Sequence, residues 1–590
     1  MTRPASSLRH CRGARLAVAL VAGLAMLLPA GCVRIPVSGP VVPTGSGGGV
    51  SDDQPIFIDP KPPRPGESAP EIVKGFLDAM TATPLDLTVA KKFLTKDAQA
   101  SWNPKLETIT YADASPPRGG SRVSVTLTGA DRLDSRGAWR GRLPQSENVL
   151  QFPLVMEGEE WRIAEAPDAL VVPESWFEQR FRQVSLYFFD PTARILVPEP
   201  VFVPRGEQLA TTLVSGLLRG PGPELSRVSR SFIPPGLSFD LSVPVSADGV
   251  ADLSLKGDAG RQTPQAIELM VAQLAWTLRQ EPLIRALRVS IGGQQLQLPG
   301  GVSEVSVDQG AEYDPTGLQA SSLLYGLRDG LLVAGPSSAL DAVDGPLGTR
   351  QYGVTSVGVN LNATRVAAIS GNGRSVLLAP VRGPARDVHE IVSGATDLLR
   401  PAWDFADRLW LVDRSRQGAR VSFVEGEQPT RLVVPGVSGR KVRSFLVSRD
   451  GSRLVAVVHR SSGDVIMVSR ILYNDRGRVL RASSAHRIAW EGGGRLDIRD
   501  IAWQAPTTVA VLQVLTNELS QVRTISVDGS PPGLDSLSTT LSGRVLGLAG
   551  SAGDSESLYA ITRSSLIDLS NAERGNVQID RRISMIGYVG

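Results

Sequence analysis

The stretch Val354-Thr-Ser-Val-Gly-Val-Asn-Leu-Asn-Ala-Thr-Arg-Val-Ala-Ala-Ile369 aligns without a gap with Val442-Arg-Ser-Phe-Leu-Val-Ser-Arg-Asp-Gly-Ser-Arg-Leu-Val-Ala-Val457, which begins 88 residues further along the chain. Midway between them, Leu398 to Val412 forms a third copy, and further copies start near Ile498 and Val545. Each copy has the pattern of a strand, a polar turn and a second strand. The chain therefore contains a repeat with a period of about 44 residues.

A repeat of this length and pattern predicts the blades of a β-propeller. Four short strands with their turns need about 40 to 50 residues, and each sheet buries its faces only against its neighbours. We expect Leu323 to Ala334 and a tail strand from Val577 to Met585 to complete a sixth blade or to close the ring. The sequence thus predicts a C-terminal β-propeller of about six blades in residues 315–590.

Residues 181–305 have a different pattern, in which strands alternate with helices. The predicted elements are a strand from Val184 to Phe189, a helix with Leu209, Leu213 and Leu217 on one face, a longer helix from Pro264, and a strand from Leu287 to Ile291. This order is similar to the GerMN module of bacterial envelope and spore-germination proteins. The resemblance implies an α+β domain.

Residues 67–180 begin with Ser68-Ala-Pro-Glu71, which predicts a capping box at the start of a helix. A second helical piece is predicted around residues 90–100, and strands follow, among them Val149 to Met156. Two helices followed by a curved antiparallel sheet resemble the NTF2-like cone. Such cones can hold a small ligand, but the same apolar residues are needed to fill a core, and we favour core packing.

The N-terminus has the composition of an export signal. Four arginines precede an apolar run from Leu16 to Leu28, which is shorter than the roughly 20 residues of a membrane span. The following Pro29-Ala-Gly-Cys32 resembles a bacterial lipobox, although Pro29 stands where that pattern usually has Leu. The resemblance implies a signal peptide at residues 1–31, cleavage between Gly31 and Cys32, and an S-diacylglycerol, N-acyl cysteine at Cys32. An ordinary signal peptide is the alternative.

Residues 32–66 carry the cysteine and a stretch rich in Pro and Gly, which predicts a tether. The formal net charge of the chain is +3, but four of its 62 basic residues and none of its 59 acidic residues lie in residues 1–31. The remainder is nearly neutral, so net charge does not indicate a nucleic-acid partner. Because Cys32 is the only cysteine after residue 31, an intramolecular disulfide is excluded in the processed chain.

The motifs predict no catalytic, cofactor-binding or metal site. Three sets of residues invite such a role and have a structural interpretation that we favour: His389, His459 and His486 stand alone in sequence; Asp190, Asp252 and Asp450 occupy turn positions; and Trp403, Trp410 and Trp503 occupy core positions of the repeat. The sequence therefore predicts a binding protein and no enzyme.

The order of lipobox, tether, NTF2-like unit, GerMN module and propeller resembles the LpqB-type lipoproteins of actinobacteria. The resemblance implies an accessory lipoprotein on the outer face of the cell membrane, which acts with the sensor histidine kinase MtrB of the MtrAB two-component system in cell-envelope homeostasis and division. Two alternatives stay open. One is a lipoprotein that binds or scaffolds an envelope polymer such as peptidoglycan; the other is a propeller hydrolase, which needs clustered acids on the strands lining the central channel.

Overall fold

The computed structural model describes residues 59–590 except 84, 207, 240, 241, 259, 261, 299, 427, 491–494, 534, 535, 552–557 and 572–574. Cys32, the cleavage site and the tether as far as residue 58 lie outside the described residues. The predicted class, multidomain α+β and all-β, is confirmed. In the part of the chain that is described, no helix is both long enough and apolar enough to span a membrane.

The N-terminal segment, from Ala69 to Arg180, packs helices against one mixed and one antiparallel sheet. Its helices are α1 (Ala69–Ala79), α2 (Thr88–Lys91), α3 (Lys96–Ser101) and α4 (Glu174–Arg180), and its strands are β1 (Glu107–Tyr111), β2 (Asp113–Ala114), β3 (Arg118–Gly119), β4 (Arg122–Thr128), β5 (Asp131–Asp134), β6 (Trp139–Arg142), β7 (Val149–Glu157), β8 (Glu160–Ile163) and β9 (Leu170–Pro173). One sheet has the order β6-β5-β1-β9, in which β1 and β9 are parallel, and the other has the order β2-β4-β7-β8.

Helix α1 begins with the predicted capping box, in which the Ser68 amide donates to the Glu71 carboxylate across 2.8 Å. The helical piece predicted around residues 90–100 is divided into two short helices, α2 and α3. The Thr95 hydroxyl accepts a hydrogen bond from the Ala98 amide and so starts α3 as a separate helix. Between α1 and the sheet, the Phe76 ring contacts Trp102 and Phe152 at centroid distances of 5.3 and 6.1 Å, which fills the interior with aromatic side chains.

The middle segment, from Phe181 to Ser306, combines a long hairpin with a parallel strand pair. Its elements are β10 (Phe181–Phe189), β11 (Leu196–Pro204), α5 (Leu209–Leu218), β12 (Ser238–Phe239), β13 (Val250–Lys256), α6 (Pro264–Leu278), β14 (Ala286–Ile291), β15 (Gln294–Gln295) and β16 (Glu304–Ser306). Strands β13 and β14 are parallel, and α6 makes the crossover between them. The predicted helix face of Leu209, Leu213 and Leu217 is buried in the core of this segment.

The C-terminal segment is built from sheets of four or five strands. Its elements are β17 (Leu324–Arg328), β18 (Leu331–Gly335), β19 (Asp341–Ala342), α7 (Pro346–Thr349), β20 (Val354–Val359), β21 (Arg365–Ser370), β22 (Val376–Pro380), β23 (His389–Val392), β24 (Ala402–Trp403), β25 (Leu409–Ser415), β26 (Gly418–Val424), β27 (Pro429–Leu432), β28 (Lys441–Val447), β29 (Arg453–Arg460), β30 (Gly463–Tyr473), β31 (Val479–Ala482), β32 (His486–Arg487), β33 (Ile498–Ala505), β34 (Thr508–Thr516), β35 (Leu519–Ser526), β36 (Ser538–Ser542), β37 (Gly547–Gly550), β38 (Leu558–Ile561), β39 (Ser565–Asp568), β40 (Asn576–Gln578) and β41 (Ile583–Gly587).

These strands form six sheets within the described residues, and the sheets stand around an axis. The inner strands β20, β24, β28, β33, β37 and β41 each contact the next one, and β41 contacts β20, which closes the ring. Closure is made by the last strand of the chain pairing with the first of the segment, with Tyr325 opposite Gly587. The C-terminal segment is therefore a β-propeller.

The expected tail strand from Val577 to Met585 is wrong, because the chain turns within it. Strand β40 belongs to the preceding sheet, and β41 pairs with β17 in the closing sheet. The turn between them is held by Asp580, whose carboxylate accepts a hydrogen bond from the Arg582 amide at 3.0 Å and pairs with the Arg582 guanidinium at 2.7 Å. An Asp at this place in a turn ends one strand and starts the next.

Neighbouring blades are tied together by tryptophans of the inner strands. The Trp403 indole donates to the Gly358 carbonyl in the preceding blade at 3.0 Å, and the Trp503 indole donates to Val447 in the same way at 3.0 Å. All three tryptophans assigned to the core, Trp403, Trp410 and Trp503, are buried, which confirms that interpretation. Trp403 and Trp503 therefore fill the core and also satisfy a backbone acceptor of the adjacent sheet, whereas the Trp410 indole donates to the Asp404 carboxylate at 2.9 Å.

Candidate functional site

A cavity of about 830 Å³ lies between the inner strands of the propeller. We call it the central cavity. Residues of or next to β24, β28, β33, β37 and β41 line it, and so does the turn between β38 and β39. The volume of the central cavity lies in the usual range for ligand pockets, so this cavity is the first candidate for a binding site.

Arginine dominates the charge of this cavity. Five of the lining arginines stand at the start of an inner strand or just before it, and these are Arg400, Arg443, Arg499, Arg544 and Arg581. Arg449 and Arg563 also line the cavity, and Asp500 is the one acidic residue among the described lining. The cavity thus gathers positive charge in a chain whose net charge is small. A cleft lined by one sign of charge concentrates the field and attracts ions of the other sign.

Three of these arginines are held by backbone carbonyls, and one of them, Arg499, donates to Val545. Arg400 donates to Val357 at 3.2 Å and to Ile586 at 3.3 Å, and Arg449 donates to Thr316 and Val589 at 3.1 Å each. Burial lowers the pKa of Arg449 to about 10, and burial also lowers the pKa of Arg400. The hydrogen-bond partners of these two guanidinium groups are carbonyls, and neither group makes an ion pair within the described residues.

Arg544, Arg563 and Arg581 are exposed and make no ion pair among the residues that the structure describes. Arg443 differs, because its guanidinium pairs with Asp464 at 3.0 Å and with Asp497 at 2.5 Å. The three unpaired arginines are therefore the groups most available to an anionic ligand.

The single acid of the cavity has structural partners. The carboxylate of Asp500 accepts hydrogen bonds from the Ile501 amide at 2.9 Å and from the Leu548 amide at 2.8 Å, so it joins β33 to β37. Desolvation in the cavity raises its pKa. A glycosidase or aspartic-protease type of mechanism needs a pair of carboxyl groups, and the described lining offers one that is already bound to backbone. The arginines of the central cavity can bind an anion.

The residues singled out from the sequence lie elsewhere. Asp190 accepts from the amides of Thr192 and Arg194, and Asp450 accepts from the Ser452 amide at 2.7 Å, which is the turn role predicted for both. The turn position predicted for Asp252 is wrong, because this residue lies within β13. Its half-exposed carboxylate lies 4.0 Å from Arg288 of the adjacent strand. These carboxylates each have their own partners.

The histidines also have separate surroundings. The Nδ1 atom of His459 lies 2.7 Å from the buried carboxylate of Asp464. His389 is exposed, and His486 contacts the Val527 carbonyl at 3.3 Å. Burial lowers the pKa of His486. Within the described ranges, no group of three or more His, Cys, Asp or Glu side chains is arranged to hold a metal ion.

Direct contacts join the middle segment to the propeller. The Arg453 guanidinium donates to the Pro198 carbonyl at 2.5 Å, and Arg470 donates to the Glu199 carboxylate at 2.7 Å. Gln183 on β10 donates to two serine hydroxyls of the propeller at 3.1 and 3.0 Å. Glu199 and Arg453 are buried, so this contact is a packed interface.

The sequence carries a signal for the cavity arginines that the apolar pattern of the repeat does not include. Arg443 follows Val442 and Arg499 follows Ile498, which is the same position in two copies of the repeat. Arg400, Arg544 and Arg581 stand near the same point of three further blades. Comparing polar positions between copies, in addition to the apolar ones, would have identified an arginine at the start of each of these inner strands.

Comparison with protein families matches three parts of the chain. A family model described as "Lipoprotein LpqB, N-terminal domain" matches residues 62–178, and one described as "Lipoprotein LpqB beta-propeller domain" matches residues 330–576. Together these two cover more than half of the chain. The chain belongs to the LpqB lipoprotein family. A third model, described as "Sporulation and spore germination", matches residues 185–297, between the two LpqB models.

Proteins named Lipoprotein LpqB match along most of the chain. The relative from Thermobifida fusca (strain YX) is 26% identical over 88% of this chain and 90% of its own length. The one from Streptomyces coelicolor is 27% identical over 88% and 89%, and the one from Mycobacterium tuberculosis is 28% identical over 77% and 79%. Membership of the LpqB family supports a membrane-anchored accessory lipoprotein.

Among solved structures, the first GerMN domain of the sporulation protein GerM from Bacillus subtilis matches at 22% identity, covering 21% of this chain and 97% of its own, with a TM-score of 0.18. TolB from Acinetobacter baumannii matches at 12% identity, covering 45% of this chain and 66% of its own, with a TM-score of 0.31. The GerMN module and the propeller predicted from the sequence are confirmed for this LpqB family member by the family models and by the sheets described above.

Proposed function

We propose that this LpqB family member is anchored by a lipid on Cys32 at the outer face of the cell membrane, and that it binds the extracytoplasmic part of an MtrB-like sensor histidine kinase. Binding changes the output of an MtrAB-type two-component system and so affects cell-envelope homeostasis and division. The observation that carries this proposal is the buried contact between the middle segment and the propeller, in which Glu199 meets Arg470. It supports a single body with one composite binding surface.

Lipid anchoring gives such a body a physical advantage. Confinement to the membrane raises its effective concentration toward another membrane protein to the order of millimolar, so a weak contact suffices. The kinase responds only if the lipoprotein binds one of its conformational states better than the other. The proposal therefore requires a state-dependent contact.

Replacement of the lipidated cysteine tests the proposal. Cys32→Ala in the full chain should release the protein from the membrane and abolish its effect on phosphorylation of the response regulator. Crosslinking of the native lipoprotein in its membrane should recover the kinase as the attached protein. If a soluble form at the normal level modulates the kinase equally well, the anchoring role is wrong. If purified cell wall retains the chain and no kinase is crosslinked, the protein binds an envelope polymer.

A further inference from the structure

The central cavity holds more positive charge than its own carboxylate can balance. Asp500 is bound to two backbone amides, and Arg544, Arg563 and Arg581 have no ion pair in the part of the chain that is described. Several like charges in a partly desolvated space repel one another, and this repulsion opposes folding. A bound anion relieves that repulsion, so the lining itself favours an anionic occupant.

The inner strands add hydrogen-bonding groups to the charge. Each of them is the end strand of its sheet, so only one of its edges pairs with a neighbouring strand within the described residues. The other edge carries backbone amides and carbonyls, and five of these strands contribute to the cavity. Neighbouring blades occupy part of these edges, as Arg400 does at the Val357 carbonyl and Trp503 does at the Val447 carbonyl. An edge amide or carbonyl without such a partner can pair with the main chain of an extended peptide. A phosphate group has no donor for the carbonyls, whereas a peptide main chain can pair with both the amides and the carbonyls.

The cavity also exposes apolar side chains. Leu546 and Met585 are 45% and 40% exposed, and both line the cavity. Met585 has φ +56°, a left-handed conformation that is costly for a residue with a long side chain. Such strain is retained where surrounding structure enforces it, and functional sites are common places for it. The walls therefore suit a ligand that carries apolar groups as well as negative charge.

We propose that the central cavity binds an extended acidic peptide segment of a partner protein. Its carboxylates pair with Arg544, Arg563 and Arg581, and its apolar side chains contact Leu546 and Met585. The source of the peptide rests on the proposed function, in which the partner is a membrane protein's exterior domain. The recognition chemistry is independent of that source, so it can be measured with a synthetic peptide.

The experiment measures binding of a fluorescent peptide of alternating Glu and Val to the full-length lipoprotein in detergent micelles, by fluorescence anisotropy. A triple cavity variant should bind the peptide about tenfold or more weakly, because charge-assisted hydrogen bonds are lost. It carries Arg544→Gln, Arg563→Gln and Arg581→Gln. The matched control changes Arg420, Arg431 and Arg440 to Gln, which removes the same charge. These three are exposed, lie outside the cavity, and make no ion pair within the described residues. The control should bind within about twofold of the unmodified chain.

A peptide of alternating Gln and Val should not bind, and far-ultraviolet circular dichroism should show that both triple variants are folded. Equal binding by the unmodified chain and the cavity variant would overturn the proposal, as would absence of binding to the unmodified chain. Polyphosphate that binds more tightly than the peptide and is lost in the same variant would reassign the cavity to a phosphate polymer. If the peptide binds to the cavity but cells with Cys32→Ala keep the normal kinase response, the proposed function is refuted and this site stands.

Discussion

Arg470 and Glu199 meet across 2.7 Å at the boundary between the propeller and the middle segment. The carboxylate also lies 3.9 Å from the Arg453 guanidinium, and Glu199 and Arg453 are buried. Desolvation lowers the pKa of Arg453 to about 10, so its charge persists at neutral pH and needs a counterion. One carboxylate thus serves two arginines, and it couples segments that are distant in sequence.

Glu199→Gln should lower the free energy of unfolding by about 3 kcal/mol, because it leaves the Arg470 guanidinium without its carboxylate. It also removes one of the two carboxylates near Arg453, the other being Asp450 at 3.5 Å. Scanning calorimetry of the full chain should show earlier unfolding, with the middle segment and the propeller separating into two transitions. Glu304→Gln serves as the control, since Glu304 is half-exposed and pairs with Arg288 at 2.9 Å on the surface. That change should cost less than about 1 kcal/mol. A single transition at unchanged temperature in Glu199→Gln would contradict the coupling.

Trp403→Phe should destabilise the propeller. It removes the donor that satisfies the buried Gly358 carbonyl and leaves a cavity where the larger ring was, at a combined cost of about 2 to 4 kcal/mol. Denaturant unfolding followed by circular dichroism measures this cost. Trp161→Phe is the control, since Trp161 is only partly buried, and it should change stability by less than about 1 kcal/mol. Equal effects of the two variants would show that the bond between the blades contributes nothing specific.

Gly358→Ala tests how closely two blades approach each other. A Cβ atom at this position would lie 2.4 Å from the Pro401 carbonyl oxygen, so the inner strands would have to move apart. We expect a loss of at least about 1 to 3 kcal/mol, which is typical of overpacking. Gly120→Ala provides the comparison, because a Cβ there has no atom within 4 Å. Thermal unfolding should distinguish the two, and an unperturbed Gly358→Ala variant would mean that the blades can separate freely.

Asp580 predicts a pH dependence for the turn that leads into the closing strand. Hydrogen bonds from the Arg582 side chain and backbone lower its pKa from 3.8 to about 2. A carboxylate with a depressed pKa stabilises the fold above its unfolded pKa, and that contribution is lost as the pH falls from about 4 to about 2. The difference in melting temperature between the unmodified chain and Asp580→Asn should therefore shrink over this window. A difference that stays constant from pH 5 to pH 2 would show that the carboxylate does not act through its charge.

Much of the fold could be predicted because it depends on local spacing. The repeat copies at Val354, Val442 and Ile498 fall on the inner strands β20, β28 and β33. The capping box at Ser68 and the helix from Pro264 were also predicted correctly, since a cap and an apolar face need only a few neighbouring residues. The tail strand was predicted incorrectly because the Asp580 turn interrupts a run of apolar residues that resembles one strand.

The candidate site could not be predicted from net charge, which is small for the chain as a whole. Arg400 and Arg581 are far apart in sequence, and they line one cavity only because the ring closes through β17 and β41. Which arginines are unpaired depends on long-range partners, as the contrast between Arg544 and the paired Arg443 makes clear. Closure and pairing are properties of the folded ring.

The sequence by itself determined the order of the segments, the repeat and its strands, because backbone periodicity and caps act over a few residues. The tertiary structure alone decided that arginines from separate blades share a cavity, that its one acid is bound to backbone, and that Glu199 couples the middle segment to the propeller. The physical reason is that charge and hydrogen bonding act through space. A side chain's partners are therefore known only once distant strands have been brought together.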